Sequence, residues 1–427
     1  MKFLKYKDPD SDFSPLFNRT AFPEDIERSV AEILTDIRKN GDEAVVKYAK
    51  KFDNLDLSPE NIKVSQAEID NAENLIGDDI KDAIKLAHAN ISDFSRQNLP
   101  EDWSYNPRPG VRLGEKFTPL QRIACYIPGG TAPLVSTVLH TATMAQTAGV
   151  PEIVITTKGA EDGSVNPAIL YAAKVCGASE VYKMGGVYAV GALAYGTDSI
   201  KKVDKIVGPG NAYVTAAKKQ VYGYTALDLV AGPSEVMVIA DRTAQANFIA
   251  ADLLSQAEHG SGFEQAVLVS DSFEKLKEVE AEVLRQKELL SRAECIDKVV
   301  ANGIFLIEVA DMDEAAEVAT AYAAEHLEII TENPEAVSEN VKAAGAIFLG
   351  PWTPEPLGDF VAGPSHVLPT GGSAHYFNGL TVNQFFRRTS LVKYDKEALA
   401  KEVDAMSAFA KAEGLDAHGR SGTIRFD

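Results

Sequence analysis

Cysteine and histidine are both scarce in this chain of 427 residues, which has 3 of the former and 7 of the latter. Cys125, Cys176 and Cys295 are too few for a disulfide framework and lack paired zinc spacing, which points to a reducing cytoplasm and to thiols that fill core space. Long apolar runs are missing too, so no membrane span is expected. The opening Met1-Lys2-Phe3-Leu4-Lys5 leads into charged residues rather than an apolar signal core. Positive charge is outweighed: 42 Lys and Arg against 62 Asp and Glu leave a formal net charge of −20. Such a balance repels a phosphate backbone and argues against nucleic acid as a partner. The zinc-protease signature H-E-x-x-H is absent as well.

What is present describes a soluble globular protein, 45 % hydrophobic and 24 % charged, and too long for a single core. Residues 24 to about 100 carry amphipathic helical patterns such as Val30-Ile33-Ile37. From Arg122 onward short apolar runs alternate with helical stretches, first at 123–127, 152–156, 180–183 and 203–207. A second series follows at 236–240, 266–270, 304–309, 327–331 and 346–349. Alternation of this kind predicts parallel sheets covered by helices, and two such series predict two α/β domains. From about Leu380 one helical pattern, 396–412, precedes Gly414, Gly419 and Gly422 and reads as an appendage.

Several segments carry chemistry. A helix from Thr243, stopped by Gly260, places Asp252, Gln256 and His259 on one face, where an amide oxygen and an imidazole can grip one ion; a His at a helix C-terminus can equally serve the last carbonyls. The turns Pro128-Gly129-Gly130 and Gly208-Pro209-Gly210-Asn211 follow strands, where bare backbone can approach a pyrophosphate, although neither is G-x-G-x-x-G and a plain tight turn is the alternative. Ala231-Gly232-Pro233-Ser234-Glu235 lies between the two series, a place for a cleft. Glu325-His326, at a helix-to-strand junction, pairs two proton acceptors of different basicity, or else faces solvent. Asp359 and His366 stand in stiff proline-rich loops. Glu413 and His418 sit in the glycine-punctuated tail, an ordinary place for mobile surface groups.

Taken together, Tyr126-Ile127-Pro128-Gly129-Gly130, Gly208-Pro209-Gly210-Asn211, Ala231-Gly232-Pro233-Ser234-Glu235, Leu254-Ser255-Gln256-Ala257-Glu258-His259-Gly260, Glu325-His326-Leu327 and His366-Val367-Leu368-Pro369-Thr370 resemble the histidinol dehydrogenase family, from about Glu27 to the C-terminus. The resemblance implies two doubly wound, Rossmann-like parallel-sheet domains of aldehyde-dehydrogenase-like type with small terminal appendages. The expected division is an N-terminal appendage (1–22), a first domain (23–125 with 236–378), an inserted nucleotide-binding domain (126–235) and a tail reaching the partner subunit (379–427).

It also implies one zinc ion per subunit held by Gln256, His259, Asp359 and His418. L-histidinol would be contacted by Ser234, His326, His366 and Glu413 together with those ligands, and NAD by Tyr126, Tyr188 and Asn211. The implied reaction is a four-electron oxidation of L-histidinol to L-histidine through bound L-histidinaldehyde, with His326 and Glu325 catalytic, in a homodimer whose partners complete each other's sites. Relatives commonly carry Gln where this chain has Tyr188, and many carry Asn where it has Ser365. A paralogue acting on another polar alcohol and a zinc hydrolase are the alternatives.

Overall fold

The computed structural model describes residues 1–19, 24–129, 133–259 and 262–427, so Gly130 and the expected helix stop at Gly260 lie outside the described residues. Two parallel sheets and one small antiparallel sheet organise the chain. The first has the order Glu180–Tyr182, Glu152–Thr157, Arg122–Ile127, Lys205–Val207, Ala226–Leu227; the second has Lys2–Lys5, Ile304–Glu308, Gln265–Ser270, Glu235–Ala240, His326–Ile330, Ala346–Leu349. In the first the chain starts in the middle, works outward in one direction, then returns to continue in the other; in the second it does the same from Glu235–Ala240, after Lys2–Lys5 has supplied an edge strand. Both are thus doubly wound, with switch points between Arg122–Ile127 and Lys205–Val207 and between Glu235–Ala240 and His326–Ile330.

Period-2 geometry explains why these strands read as uninterrupted apolar runs. Ile123, Cys125 and Ile127 enter one core, while Ala124 and Tyr126 enter the core on the opposite face. Likewise Val236, Val238 and Ala240 face one layer, and Met237 and Ile239 the other. Strands buried on both faces have no polar side to alternate with. Each fully buried Val, Ile or Leu contributes about 1.5–3 kcal/mol over leaving it in water.

Packing redraws the expected division in two places. The expected first domain joins 23–125 to 236–378, but Val30, Leu34, Ile37 and Val45 share a core with Tyr126, Val190 and Ile206, and Ile84 and Ile91 share one with Ile123 and Cys125. The helical opening therefore clothes the first sheet, Glu24–Tyr48 on one face and Asp78–Arg96 on the other. Nor is 1–22 a mere appendage. Lys2–Lys5 pairs in parallel with Ile304–Glu308, and Leu16 is fully buried.

The third sheet joins Trp103–Arg108, Val111–Pro119 and Phe386–Tyr394 in antiparallel pairs. It had no alternating apolar signal, since Phe386–Tyr394 is exposed almost throughout. Helices Val403–Glu413 and Asp416–Thr423 follow it and pack chiefly on each other. Among the described residues no helix is long and apolar enough to cross a membrane.

Candidate active site

The parallel pairing of Glu235–Ala240 with His326–Ile330 sets His326 opposite Val236, so both strands begin at one edge of the second sheet. Ser234 stands at the mouth of the first strand and Glu325 at that of the second. Glu325 is buried, with Oε2 accepting the Glu235 N–H at 2.9 Å. Burial, more than any neighbour, pushes its carboxyl up to about 8. His326, also buried, has Nδ1 3.2 Å from the Glu235 carbonyl oxygen and 3.8 Å from Glu325 Oε2.

Nε2 of His326 lies 3.6 Å from Glu355 Oε1 and 3.6 Å from Asp359 Oδ1. Burial opposes its charge, but Glu325, Asp359 and Glu355 more than offset that and raise the imidazole to about 10. Asp359 is held below the carboxylate range: burial works against ionisation, and His326 and His366 outweigh it. Its own loop brings it there. Helix Glu355–Phe360 follows Pro354, and the Glu355 N–H is fixed by Glu328 Oε1 at 2.6 Å.

His326, Glu355 and Asp359 offer three potential ligand atoms within 4.8 Å of one another. Helix Ala246–Ala257 supplies the opposite wall: Ser255 Oγ donates to Glu355 Oε2 at 3.2 Å, and Gln256 is wholly buried one residue on. His259 follows the helix end at the surface; the crowding protein lowers its pKa, while Asp359 and His326 lie close enough to act on its charge. His366 Nδ1 is 3.1 Å from the Asp359 carbonyl oxygen, and its ring stacks on His140 at 4.5 Å between centroids.

Both amide atoms of Gln256, together with Nε2 of His326, Nε2 of His366 and Oε1 of Glu355, are buried without a hydrogen-bond partner. Buried polar atoms orphaned in this way are costly unless a cation or a polar ligand engages them. The donor set, imidazole nitrogens with carboxylate and amide oxygens, suits a borderline divalent ion such as zinc.

The structure thus gathers Gln256, His259, Glu325, His326, Asp359 and His366 around one edge. It does not bring Glu413 and His418 there within the chain; both are exposed on the C-terminal helical pair. Glu355 and His140 escaped the sequence reading. Glu355 had a signal, an acid between two prolines of a loop already singled out. His140, a fully buried residue of helix Val135–Thr147, had none that distinguished it from packing. Ser365 turns its hydroxyl to the His140 carbonyl oxygen at 3.2 Å, so at this position it braces backbone. Cys125 is fully buried and burial pushes its thiol up to about 12, which agrees with a packing role.

At the first sheet's carboxyl end, Tyr126 receives the Gly186 N–H on its hydroxyl at 2.9 Å. Asn211 caps helix Ala212–Val221 by accepting from Tyr213 and Val214. Gly208 has φ +112°, and a Cβ there would fall 2.2 Å from the Tyr126 carbonyl oxygen, so the two switch-point strands touch through bare backbone. Tyr188 is buried, its hydroxyl donating to Asp53 Oδ2 at 2.5 Å.

The histidinol dehydrogenase family profile matches residues 18–426. A histidinol dehydrogenase from Heliobacterium mobile is 44 % identical over 427 residues, covering 100 % of both chains. One from Lactococcus lactis subsp. lactis is 44 % identical over 409 residues, 96 % of this chain and 95 % of the other. The crystal structure of histidinol dehydrogenase from Elizabethkingia anophelis superposes with a TM-score of 0.93 at 36 % identity, over 100 % of this chain and 98 % of that one.

Proposed function

The chain belongs to the histidinol dehydrogenase family, and from that premise we propose that it oxidises L-histidinol to L-histidine with zinc and NAD, through an aldehyde that stays bound. The observation that carries this reading is the set of orphaned imidazole, carboxylate and amide atoms at the edge where Glu325 and His326 meet the helix of Gln256.

Gln256, His259 and Asp359 would hold zinc, with His418 supplied by the partner of a homodimer. Zinc, which has no redox chemistry of its own, would fix the substrate's nitrogens and so orient its carbinol carbon. Tyr126 and Asn211 would hold NAD in the first sheet's crevice, where two NAD molecules in succession would each supply one hydride acceptor. Ser234, His366 and the partner's Glu413 would complete the substrate pocket.

His326 would take the alcohol proton: support comes from its Nε2, 3.6 Å from both Glu355 Oε1 and Asp359 Oδ1, and from its Nδ1, 3.2 Å from the Glu235 carbonyl oxygen. Glu325, kept weakly acidic by burial, would take a proton from the water that hydrates the aldehyde. Arg19 braces this edge: its Nη1 donates to both Glu235 oxygens at 2.9 Å and its Nη2 to the Tyr322 carbonyl at 2.7 Å.

Zinc-loaded protein given L-histidinol and NAD should produce reduced nicotinamide. Chelator-treated protein, and loaded protein given an alcohol without an imidazole, should give at least about tenfold less. Equal rates with and without the imidazole would instead favour a relative acting on other polar alcohols.

A further inference from the structure

Strand Glu152–Thr157 lies beside the switch strand of the first sheet and is followed by Lys158. In a sheet wound this way the residue that ends this neighbouring strand faces the adenosine ribose of a dinucleotide laid across the crevice. The glycine turn after the switch strand packs directly on Lys158, since a Cβ at Gly129 would fall 2.4 Å from the Lys158 Cβ. Lys158 does not stand alone. Its Nζ is 3.1 Å from Asp53 Oδ1, and the other Asp53 oxygen accepts the Tyr188 hydroxyl at 2.5 Å. Tyr188 is in turn fixed by the Gly185 N–H at 3.3 Å. Asp53 closes the helical turn Ala49–Asp53, and Asn54 beyond it is left-handed.

We propose that Asp53, seated between Lys158 and Tyr188, is the residue by which this chain selects a dinucleotide with a free adenosine ribose over one carrying a 2′-phosphate. The inference rests on the dinucleotide reading above. Ribose hydroxyls suit this pair, donating to a carboxylate and accepting from an ammonium. A 2′-phosphate does not, because the ammonium beside it is already neutralised and the carboxylate repels it. Tyr188 then serves as a positioning residue, buried and acting through Asp53 rather than by contact with the cofactor.

Binding of ADP-ribose and of its 2′-phosphate to the zinc-loaded protein, followed by calorimetry, tests this without turnover. The native chain should favour ADP-ribose at least about tenfold, a difference of about 1.4 kcal/mol. Asp53→Asn should shrink that preference about tenfold by tightening the phosphorylated ligand, and Tyr188→Phe should shrink it less. Lys158→Gln, a change at a partly exposed site that the fold tolerates more readily, should widen it. A preference unmoved by Asp53→Asn and Lys158→Gln in chains with native circular dichroism would overturn the proposal. If neither ligand binds the native chain, the dinucleotide reading falls with it.

Discussion

His326 shows how strongly single side chains are set by their company in this molecule. Three carboxylates, Glu325, Glu355 and Asp359, crowd an imidazole that burial alone would keep neutral, and together they hold its proton. A base must first lose that proton. Cation binding at Asp359 would withdraw the negative charge that keeps it, so metal uptake should release protons. Titrating metal-free protein with zinc near pH 7, in buffers of differing ionisation enthalpy, should give apparent enthalpies that track the buffer, with about one proton or more released. Enthalpies independent of the buffer would contradict that coupling. At this scale the sequence was informative wherever a residue type is rare. Seven histidines could be weighed one by one, and His259, His326 and His366 all lie at the site. Carboxylates are abundant, so Glu355 was hidden among 62 acids and only three-dimensional proximity singled it out.

Among elements, the inner strands of both parallel sheets were legible because burial on two faces leaves short, dense apolar runs, and their observed bounds differ from the expected ones by a residue or two; Lys2–Lys5 and Ala226–Leu227, short and partly exposed at the sheet edges, gave no such run. The antiparallel sheet was not, since its strands present polar side chains to solvent and owe their pairing to register alone. Which sheet the helical opening covers was equally unreadable, because an apolar stripe does not name its partner.

One strand-end ion network can be tested through pH. Arg122 reaches Glu152 at 2.6 Å and Glu180 at 2.5 Å across the neighbouring strands. Burial opposes ionisation of Glu180, but Arg122, Lys63 and the Tyr182 hydroxyl prevail and lower its pKa to about 2. A depressed carboxylate stabilises above its unfolded pKa, here the ordinary 4.5, and that contribution fades as pH falls toward 2. Glu180→Gln should therefore cost about 1–2 kcal/mol in urea denaturation at pH 7, allowing for solvent screening. The gap between variant and native chain should narrow as the pH drops below 4.5, and a constant gap would count against the ion pair as its cause.

For the whole molecule, the C-terminal helices hold Glu413 and His418 away from the cluster of their own chain, while Phe409, Leu415 and Ile424 are exposed on the same arm. A shared site in a homodimer reconciles that placement with the proposed ligand set. It predicts complementation: equal amounts of an inactive Glu325→Gln, His326→Ala chain and an inactive His418→Ala chain, unfolded and refolded together, should recover about a quarter of native activity, since half the dimers are mixed and each carries one intact site. Recovery no greater than the separate chains would argue that each subunit completes its own site.

A double oxidation at one buried edge would show most plainly in the stoichiometry of turnover. Zinc-loaded protein consuming L-histidinol in excess NAD should form about two reduced nicotinamides per L-histidine, with no free aldehyde accumulating. One reduced nicotinamide per substrate with aldehyde released, or none at all, would contradict it.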